Sequence, residues 1–103
     1  MSATPINKPT WQTQTVTCTL VNTAYQGPSI VVDDGYALVV RYRRPLVGNP
    51  TGYVAPSAVL VLLSAFRNEL RGGEVLNLYI QNANAVFVAS DTALMLFEFT
   101  TEQ

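Results

Sequence analysis

The residues of this chain that are suited to chemistry are few and poorly grouped. Two adjacent carboxylates, Asp33 and Asp34, stand directly before Gly35. A carboxylate pair can share a proton or bind a cation. Neighbouring side chains usually point apart, however, and a glycine at the third position is typical of a tight turn. We therefore interpret this segment as a turn rather than an acidic site.

The other candidates for catalysis lack a chemical partner. The chain contains no histidine, so no serine has the imidazole base that would activate it as a nucleophile. Glu69, Glu74 and Glu98 have no spacing that is typical of an acid and base pair. We therefore predict that the protein is not an enzyme, and we expect no cofactor and no catalytic metal ion.

A single cysteine, Cys18, limits the covalent and metal chemistry of the chain. One cysteine excludes an intrachain disulfide, and without histidine it leaves nothing that resembles a zinc site. Cys18 alternates with Val16 and Leu20, which is the period of a half-buried strand. We predict a buried, inert thiol.

The length and composition of the chain are those of one domain with few charged residues. The chain has 103 residues, of which 49% are hydrophobic and only 13% are charged, and its formal net charge is -1. This charge offers no electrostatic attraction for nucleic acid and no polybasic patch for a membrane surface. A small domain with so little charge has weak protection against self-association. We therefore expect apolar surface that is covered in an assembly.

Targeting and membrane signals are not apparent. Residues 1–12 are polar and contain proline, unlike a secretory leader, so we expect a protein made and kept in a cytoplasm. The longest strongly apolar stretch, residues 58–65, is much shorter than the roughly 20 residues of a membrane span.

Residues 1–12 predict an extended N-terminal arm. Pro5 and Pro9 fix the backbone and remove amide donors, so this segment cannot join the interior of a sheet. Ile6 and Trp11 are its substantial apolar side chains, and with Pro9 they form the expected contact of the arm with a neighbouring surface. A frayed terminus is the alternative interpretation.

Residues 13–103 predict a single all-β domain. About seven short apolar runs alternate with turns rich in glycine, asparagine and proline, which is typical of a small β-sandwich or jelly roll. The last strand is apolar on both faces, so we expect it to be central or at an interface. The predicted strands cover residues 13–22, 29–32, 36–43, 52–55, 74–81, 86–89 and 93–100.

Residues 57–70 are ambiguous between a helix and a buried strand. Their large apolar residues follow helical spacing, whereas the aliphatic run also suits a strand. Ser57 at a capping position favours one short helical insert. Such a helix would be apolar on most of its surface and would need cover from a neighbouring subunit. We therefore predict a self-association interface, whose residues are Val59, Leu60, Leu63 and Phe66.

The basic cluster is formed by Arg41, Arg43 and Arg44, and the first two share a strand face. It has two interpretations. One is an ordinary solvated strand face. The other is a charged interface with an acidic neighbouring subunit, because a guanidinium binds a carboxylate through two parallel hydrogen bonds.

Several segments together resemble a known group of proteins. They are residues 35–41, 49–57, 70–74, 78–80 and 82–89, and the likeness spans roughly residues 14–99. The pattern looks like the small β-sandwich accessory proteins encoded among the structural genes of tailed bacteriophages. The apolar run in residues 58–66 departs from the more polar loop that this group leads us to expect.

The resemblance implies a non-enzymatic structural virion protein, most often a capsid decoration or cement protein. Such a protein would stabilise the phage head by binding the lattice of the major capsid protein and copies of itself. It would be a homo-oligomer, with a trimer favoured, and would reach the virion after assembly in the bacterial cytoplasm.

A second function class remains open, namely a tail, fibre or baseplate component, or a module that binds a carbohydrate or receptor. Tyrosine rings can stack on sugar rings, while asparagine and aspartate side chains can bind the hydroxyl groups. Five tyrosines are equally normal for a β core with their hydroxyls at the rim. They are Tyr25, Tyr36, Tyr42, Tyr53 and Tyr79.

Overall fold

The computed structural model describes residues 13–45 and 48–102. The predicted N-terminal arm of residues 1–12, with Ile6, Pro9 and Trp11, lies outside the described residues and stays a prediction.

The described residues form eight strands in two four-stranded antiparallel sheets. Sheet A has the order β1-β8-β3-β6 and sheet B the order β2-β7-β4-β5. Two single turns of 3-10 helix, Leu60–Leu62 and Ala83–Ala85, lie in the connections. The strands are β1 (Thr13–Cys18), β2 (Tyr25–Gln26), β3 (Ala37–Tyr42), β4 (Thr51–Ala55), β5 (Asn68–Arg71), β6 (Val75–Leu78), β7 (Phe87–Ser90) and β8 (Met95–Glu102).

The strand pairing defines a jelly roll. Strand β4 pairs with β5, β3 with β6, β2 with β7 and β1 with β8, as in one long hairpin that is rolled up. The successive pairs alternate between the two sheets, so each sheet receives two of them. Further pairing of β3 with β8 and of β4 with β7 joins the pairs within each sheet. The predicted small all-β sandwich of jelly-roll type is therefore confirmed.

The main core lies between the sheets and follows the two-residue period of the strands. On β8, buried Phe97 and Phe99 alternate with the half-buried Glu98 and Thr100. The rings of Tyr42 and Phe97 lie 4.8 Å apart between centroids. Strand β8 lies between β1 and β3, which confirms the prediction of a central last strand.

A second apolar layer covers the outer face of sheet B. All five residues of β4 are buried, so both of its faces are covered. Tyr53, Ala55 and Ala89 pack there against Val61, which belongs to the β4–β5 connection. The connection therefore folds back over the sheet from which it starts.

Residues 57–70 do not form one helix. They make the single 3-10 turn Leu60–Leu62, and Asn68–Arg71 is the edge strand β5. Because Leu70 is opposite Gly52 in the sheet and is buried, the apparent helical spacing combines a sheet residue with loop residues. No helix among the described residues is long and apolar enough to span a membrane.

Candidate functional site

The connection between β4 and β5, residues 57–67, is called the apolar loop below. Hydrogen bonds of its own backbone and of one hydroxyl fix its shape. The Oγ of Ser57 accepts from the backbone N–H of Leu60 at 3.0 Å, so Ser57 stabilises a turn and not the helix whose cap it was predicted to be. The backbone N–H groups of Leu63 and Phe66 donate to the carbonyl groups three residues earlier, both at 3.0 Å. The loop is therefore a series of tight turns.

Two side chains attach the apolar loop to sheet B. Val61 is fully buried against the outer face of the sheet. The guanidinium carbon of Arg67 lies 3.5 Å from the centroid of the Tyr53 ring, a close cation–π contact. The Nη1 of Arg67 also donates to the carbonyl oxygen of Val61 at 3.3 Å. The inner side of the loop is thus fixed by the domain itself.

The outer side of the apolar loop exposes large apolar side chains. Val59 is 68% exposed, Phe66 60%, and Leu62 and Leu63 44% each. Leu60 is half-buried and packs against the second apolar layer. Of the four predicted interface residues, three therefore face outwards and Leu60 faces the domain. Leu62 was missed, because the helical pattern did not separate inner from outer positions of the loop.

One cation and one anion adjoin this apolar surface. Glu69 lies opposite Tyr53 in the sheet, and Arg67 covers the ring of that same tyrosine. Glu69 is exposed, and its carboxylate makes no ion pair or hydrogen bond within residues 13–45 and 48–102. The Nε of Arg67 is buried without an acceptor. The guanidinium of Arg67 and the carboxylate of Glu69 thus lie on one surface but do not form an ion pair with each other.

An apolar cavity of about 240 Å³ opens beside the apolar loop. Pro56 and Asn68, which flank the two ends of the loop, both line it. Its other walls come from the interior of sheet B and from Leu76, Leu78 and Ile80 on the β6 side. The cavity therefore lies between the edges of the two sheets, next to both ends of the apolar loop.

The predicted basic cluster lies on and beside the outer face of sheet A. Arg41 is exposed and lies opposite Glu98 in the sheet, while the Nε of Arg43 is 2.7 Å from the Oε2 of Glu98. Arg44 is exposed beside the turn that contains Gly72. The ion pair offsets part of the positive charge, so this cluster is a weaker candidate for an acidic neighbour than its sequence suggests.

The five tyrosines separate into two groups. Tyr42 and Tyr53 are buried, and the hydroxyl of Tyr25 accepts from the backbone N–H of Leu20 at 3.0 Å. The other two, Tyr36 and Tyr79, meet at a cleft of about 270 Å³ that the turn of residues 33–35 also lines. These two tyrosines are the pair whose rings line a common cleft.

The turn at residues 33–35 forms as predicted. The backbone N–H of Tyr36 donates to the carbonyl oxygen of Asp33 at 3.0 Å, and Gly35 has a φ of 85°. A positive φ at this position favours glycine because a side chain would be strained there. The two aspartates are thus held by turn geometry, and among the described residues no group of three or more acidic, cysteine or histidine side chains could hold a metal ion.

Cys18 is fully buried, as predicted. Burial raises the pKa of its thiol to about 12. Because the thiolate is the reactive form, this thiol is a poor nucleophile at neutral pH. The pKa of Tyr42 is likewise raised to about 12, mainly by burial, and both groups belong to the core.

Comparisons with known proteins place the chain in no family. No family model matches it, and no similar curated protein and no similar solved structure was found.

Proposed function

We propose that this protein is a non-enzymatic structural component of a virion, which decorates and reinforces a bacteriophage capsid. The observation that carries the proposal is the apolar loop, whose inner side is fixed to sheet B while its outer side exposes Val59, Leu62, Leu63 and Phe66. A surface loop that is held rigid while exposing four large apolar side chains is typical of an interaction site. Its partners are copies of this chain and the major capsid protein.

The fold and the charge agree with this role. Double-sheet jelly rolls recur in viral capsid domains, although they also occur in lectins and enzymes, so the fold alone does not decide the function. A formal net charge of -1 leaves little repulsion between copies. The resemblance to phage accessory proteins adds the virion as the location.

The mechanism is the burial of apolar surface in many weak contacts. Burying a large aliphatic or aromatic side chain contributes about 1.5–3 kcal/mol before the entropy of association is subtracted. A stable contact needs about 1,000 Å² in total. Many subunits on one lattice raise the overall avidity without any single strong contact.

Replacement of Leu63 by Asp tests the proposal. The charge places an unpaired carboxylate in the contact, so Leu63→Asp should lower the mass measured by light scattering to that of a monomer and reduce binding to capsid shells. Leu94→Asp is the matched control. Leu94 is 68% exposed and follows the end of β7, whereas the apolar loop lies near the start of that strand. An unaltered mass and unaltered shell binding for Leu63→Asp would overturn the proposal.

A second candidate function, recognition of a carbohydrate by a tail or fibre component, rests on the cleft at Tyr36 and Tyr79. Tyr79 is 84% exposed there, and Asp33 and Asp34 line the same cleft. This combination of rings and carboxylates suits a sugar ring with its hydroxyl groups. Glycan-array binding that is lost in Tyr79→Ala and kept in Val75→Ala would favour this function, and no binding to any glycan would exclude it.

A further inference from the structure

We propose that the apolar loop and strand β5 form a two-fold symmetric interface between two copies of this chain, in which Arg67 of each copy pairs with Glu69 of the other. The inference rests on the self-association in the proposed function, and it adds the partner, the symmetry and the ion pair. Its basis is that one surface carries apolar side chains together with an unpaired charge of each sign.

Arg67 is held in a fixed position but keeps much of its bonding capacity. The ring of Tyr53 lies under its guanidinium, and the carbonyl oxygen of Val61 accepts one of its five N–H groups. Within the part of the chain that the structure describes, it makes no ion pair. A guanidinium that is already positioned loses little further side-chain entropy when it binds a carboxylate.

Glu69 supplies the opposite charge on the same surface. It is exposed on the edge strand β5, two residues after Arg67 and opposite Tyr53 in the sheet. It does not pair with Arg67 of its own chain, since the one ion pair within residues 13–45 and 48–102 joins Arg43 and Glu98. Each copy therefore carries one positive and one negative group on this surface.

A second copy is the occupant that this arrangement fits best. In a two-fold contact the same surface of both copies meets. If residue i of the first copy contacts residue j of the second, residue j of the first copy therefore also contacts residue i of the second. A surface with one cation and one anion is then complementary to itself, and the dimer contains two Arg67–Glu69 ion pairs. A partner of strong negative or positive charge would leave one of the two groups facing a like charge.

A cavity beside the apolar loop offers space for a side chain of this occupant. An interface of standard size buries about 800 Å² per partner. The cavity measures about 240 Å³ and is lined by Pro56 and Asn68, which flank the two ends of the loop. It is smaller than most ligand pockets, which measure about 300–1,000 Å³, yet a cavity of about 150 Å³ already holds benzene. It therefore has room for one aromatic side chain of the second copy.

Charge reversal tests the pairing directly. In Arg67→Glu two carboxylates face each other at both contacts, and in Glu69→Arg two guanidinium groups do so. Each single variant should raise the dissociation constant of the dimer at least about ten-fold. The double variant Arg67→Glu/Glu69→Arg should restore it, because the opposite charges face each other again. Light scattering over a concentration series gives the mass for each protein.

Mixing the two single variants in equal amounts tests the symmetry. In a dimer of one copy of each, both contacts join opposite charges, so the mixture should recover the dimer mass. A closed ring of three with the same contact must contain one repulsive pair in any mixture. Recovery by the double variant without recovery by the mixture would therefore overturn the two-fold arrangement in favour of an odd-numbered ring.

The outcomes separate this inference from the proposed function. If Leu63→Asp dissociates the protein while Glu69→Arg leaves its mass unchanged, the apolar loop is an interface but the Arg67–Glu69 pairing is wrong. If neither variant changes the mass of a self-associated wild type, the contact lies elsewhere and both are wrong. Far-ultraviolet circular dichroism of each variant checks that the fold is retained, since Arg67 also packs on Tyr53.

Discussion

Gly52 lies where the two sheets approach each other closely. A Cβ atom at this position would be 2.6 Å from Cδ1 of Tyr42 and 2.7 Å from Cζ of Phe97. Both of these neighbours are fully buried aromatic rings, so neither can move into solvent. The glycine is required here by close approach between side chains of sheet A and the backbone of sheet B, and not by an unusual φ.

Replacement of Gly52 by Ala should lower the free energy of unfolding by about 1–3 kcal/mol, the usual range for overpacking a core. The midpoint of urea denaturation measures this loss. Gly35→Asn is the control, since nothing lies within 4 Å of a Cβ there and asparagine tolerates its positive φ. An unchanged midpoint for Gly52→Ala would mean that the sheets are farther apart than this packing requires.

The two shifted core groups predict how stability depends on pH. Burial raises the pKa of Cys18 from 9.0 to about 12, and burial is also the main cause that raises the pKa of Tyr42 from 10.0 to about 12. Above the ordinary pKa, the unfolded chain releases a proton that the folded chain still holds. The free energy of unfolding should therefore be independent of these groups below pH 9 and fall as the pH rises from 9 towards 12.

The Cys18→Ala variant isolates the thiol in this profile. Without Cys18, the part of the decline that begins at pH 9 should disappear, while the part due to Tyr42 begins at pH 10. Denaturation curves of both proteins across this range provide the comparison. Identical pH profiles for the two proteins would show that the thiol ionises equally easily in the folded and unfolded chains.

The apolar loop shows how one element combines internal packing with an external surface. Val61 is fully buried and its neighbour Leu62 is 44% exposed, although both are aliphatic and adjacent in sequence. The sequence pattern identified the apolar character of this segment and its need for cover. It could not identify the cover, because the outer face of sheet B, which receives Val61 and Leu60, combines the preceding strand β4 with residues of β7 that are distant in sequence.

Two neighbouring substitutions should separate these two roles. Val61→Ala removes two buried methyl groups and should lower the free energy of unfolding by roughly 1–3 kcal/mol. Leu62→Ser changes an exposed side chain, so the free energy should stay within about 0.5 kcal/mol of the wild type while self-association weakens. Chemical denaturation and light scattering measure the two quantities. Equal loss of stability in both variants would show that Leu62 also belongs to the core.

The jelly roll as a whole was predictable from local patterns only in part. The strands β3, β4 and β7 follow their predicted ranges within one or two residues, because alternation and turn residues define them. Strand β2 was missed because Tyr25–Gln26 has two residues and no period. Strand β5 was missed because its four residues follow the apolar loop without a turn signal. The pairing of β1 with β8 joins residues at opposite ends of the chain, which no local pattern specifies.

At the scale of the whole molecule, the N-terminal segment of residues 1–12 and the β domain have separate expected roles. Strands β1 and β8 pair along their length from Thr13 to Cys18. Removal of residues 1–12 keeps every residue of this pairing, so cooperative unfolding should be retained. If this segment is an arm that reaches the shell through Trp11, its removal should lower the occupancy of the protein on capsid shells, because a multivalent contact loses avidity steeply with each lost site.

Trp11→Ala in the full-length chain is the narrower test of the same arm. Its binding to shells should decrease in the same direction as that of the truncated chain, while the mass of the free protein stays that of the wild type, since the apolar loop is unchanged. Co-sedimentation with shells measures occupancy, and light scattering measures mass. Full occupancy for the truncated chain would refute the arm and leave attachment to the apolar loop, whereas a lowered mass would place the N-terminal residues in self-association instead.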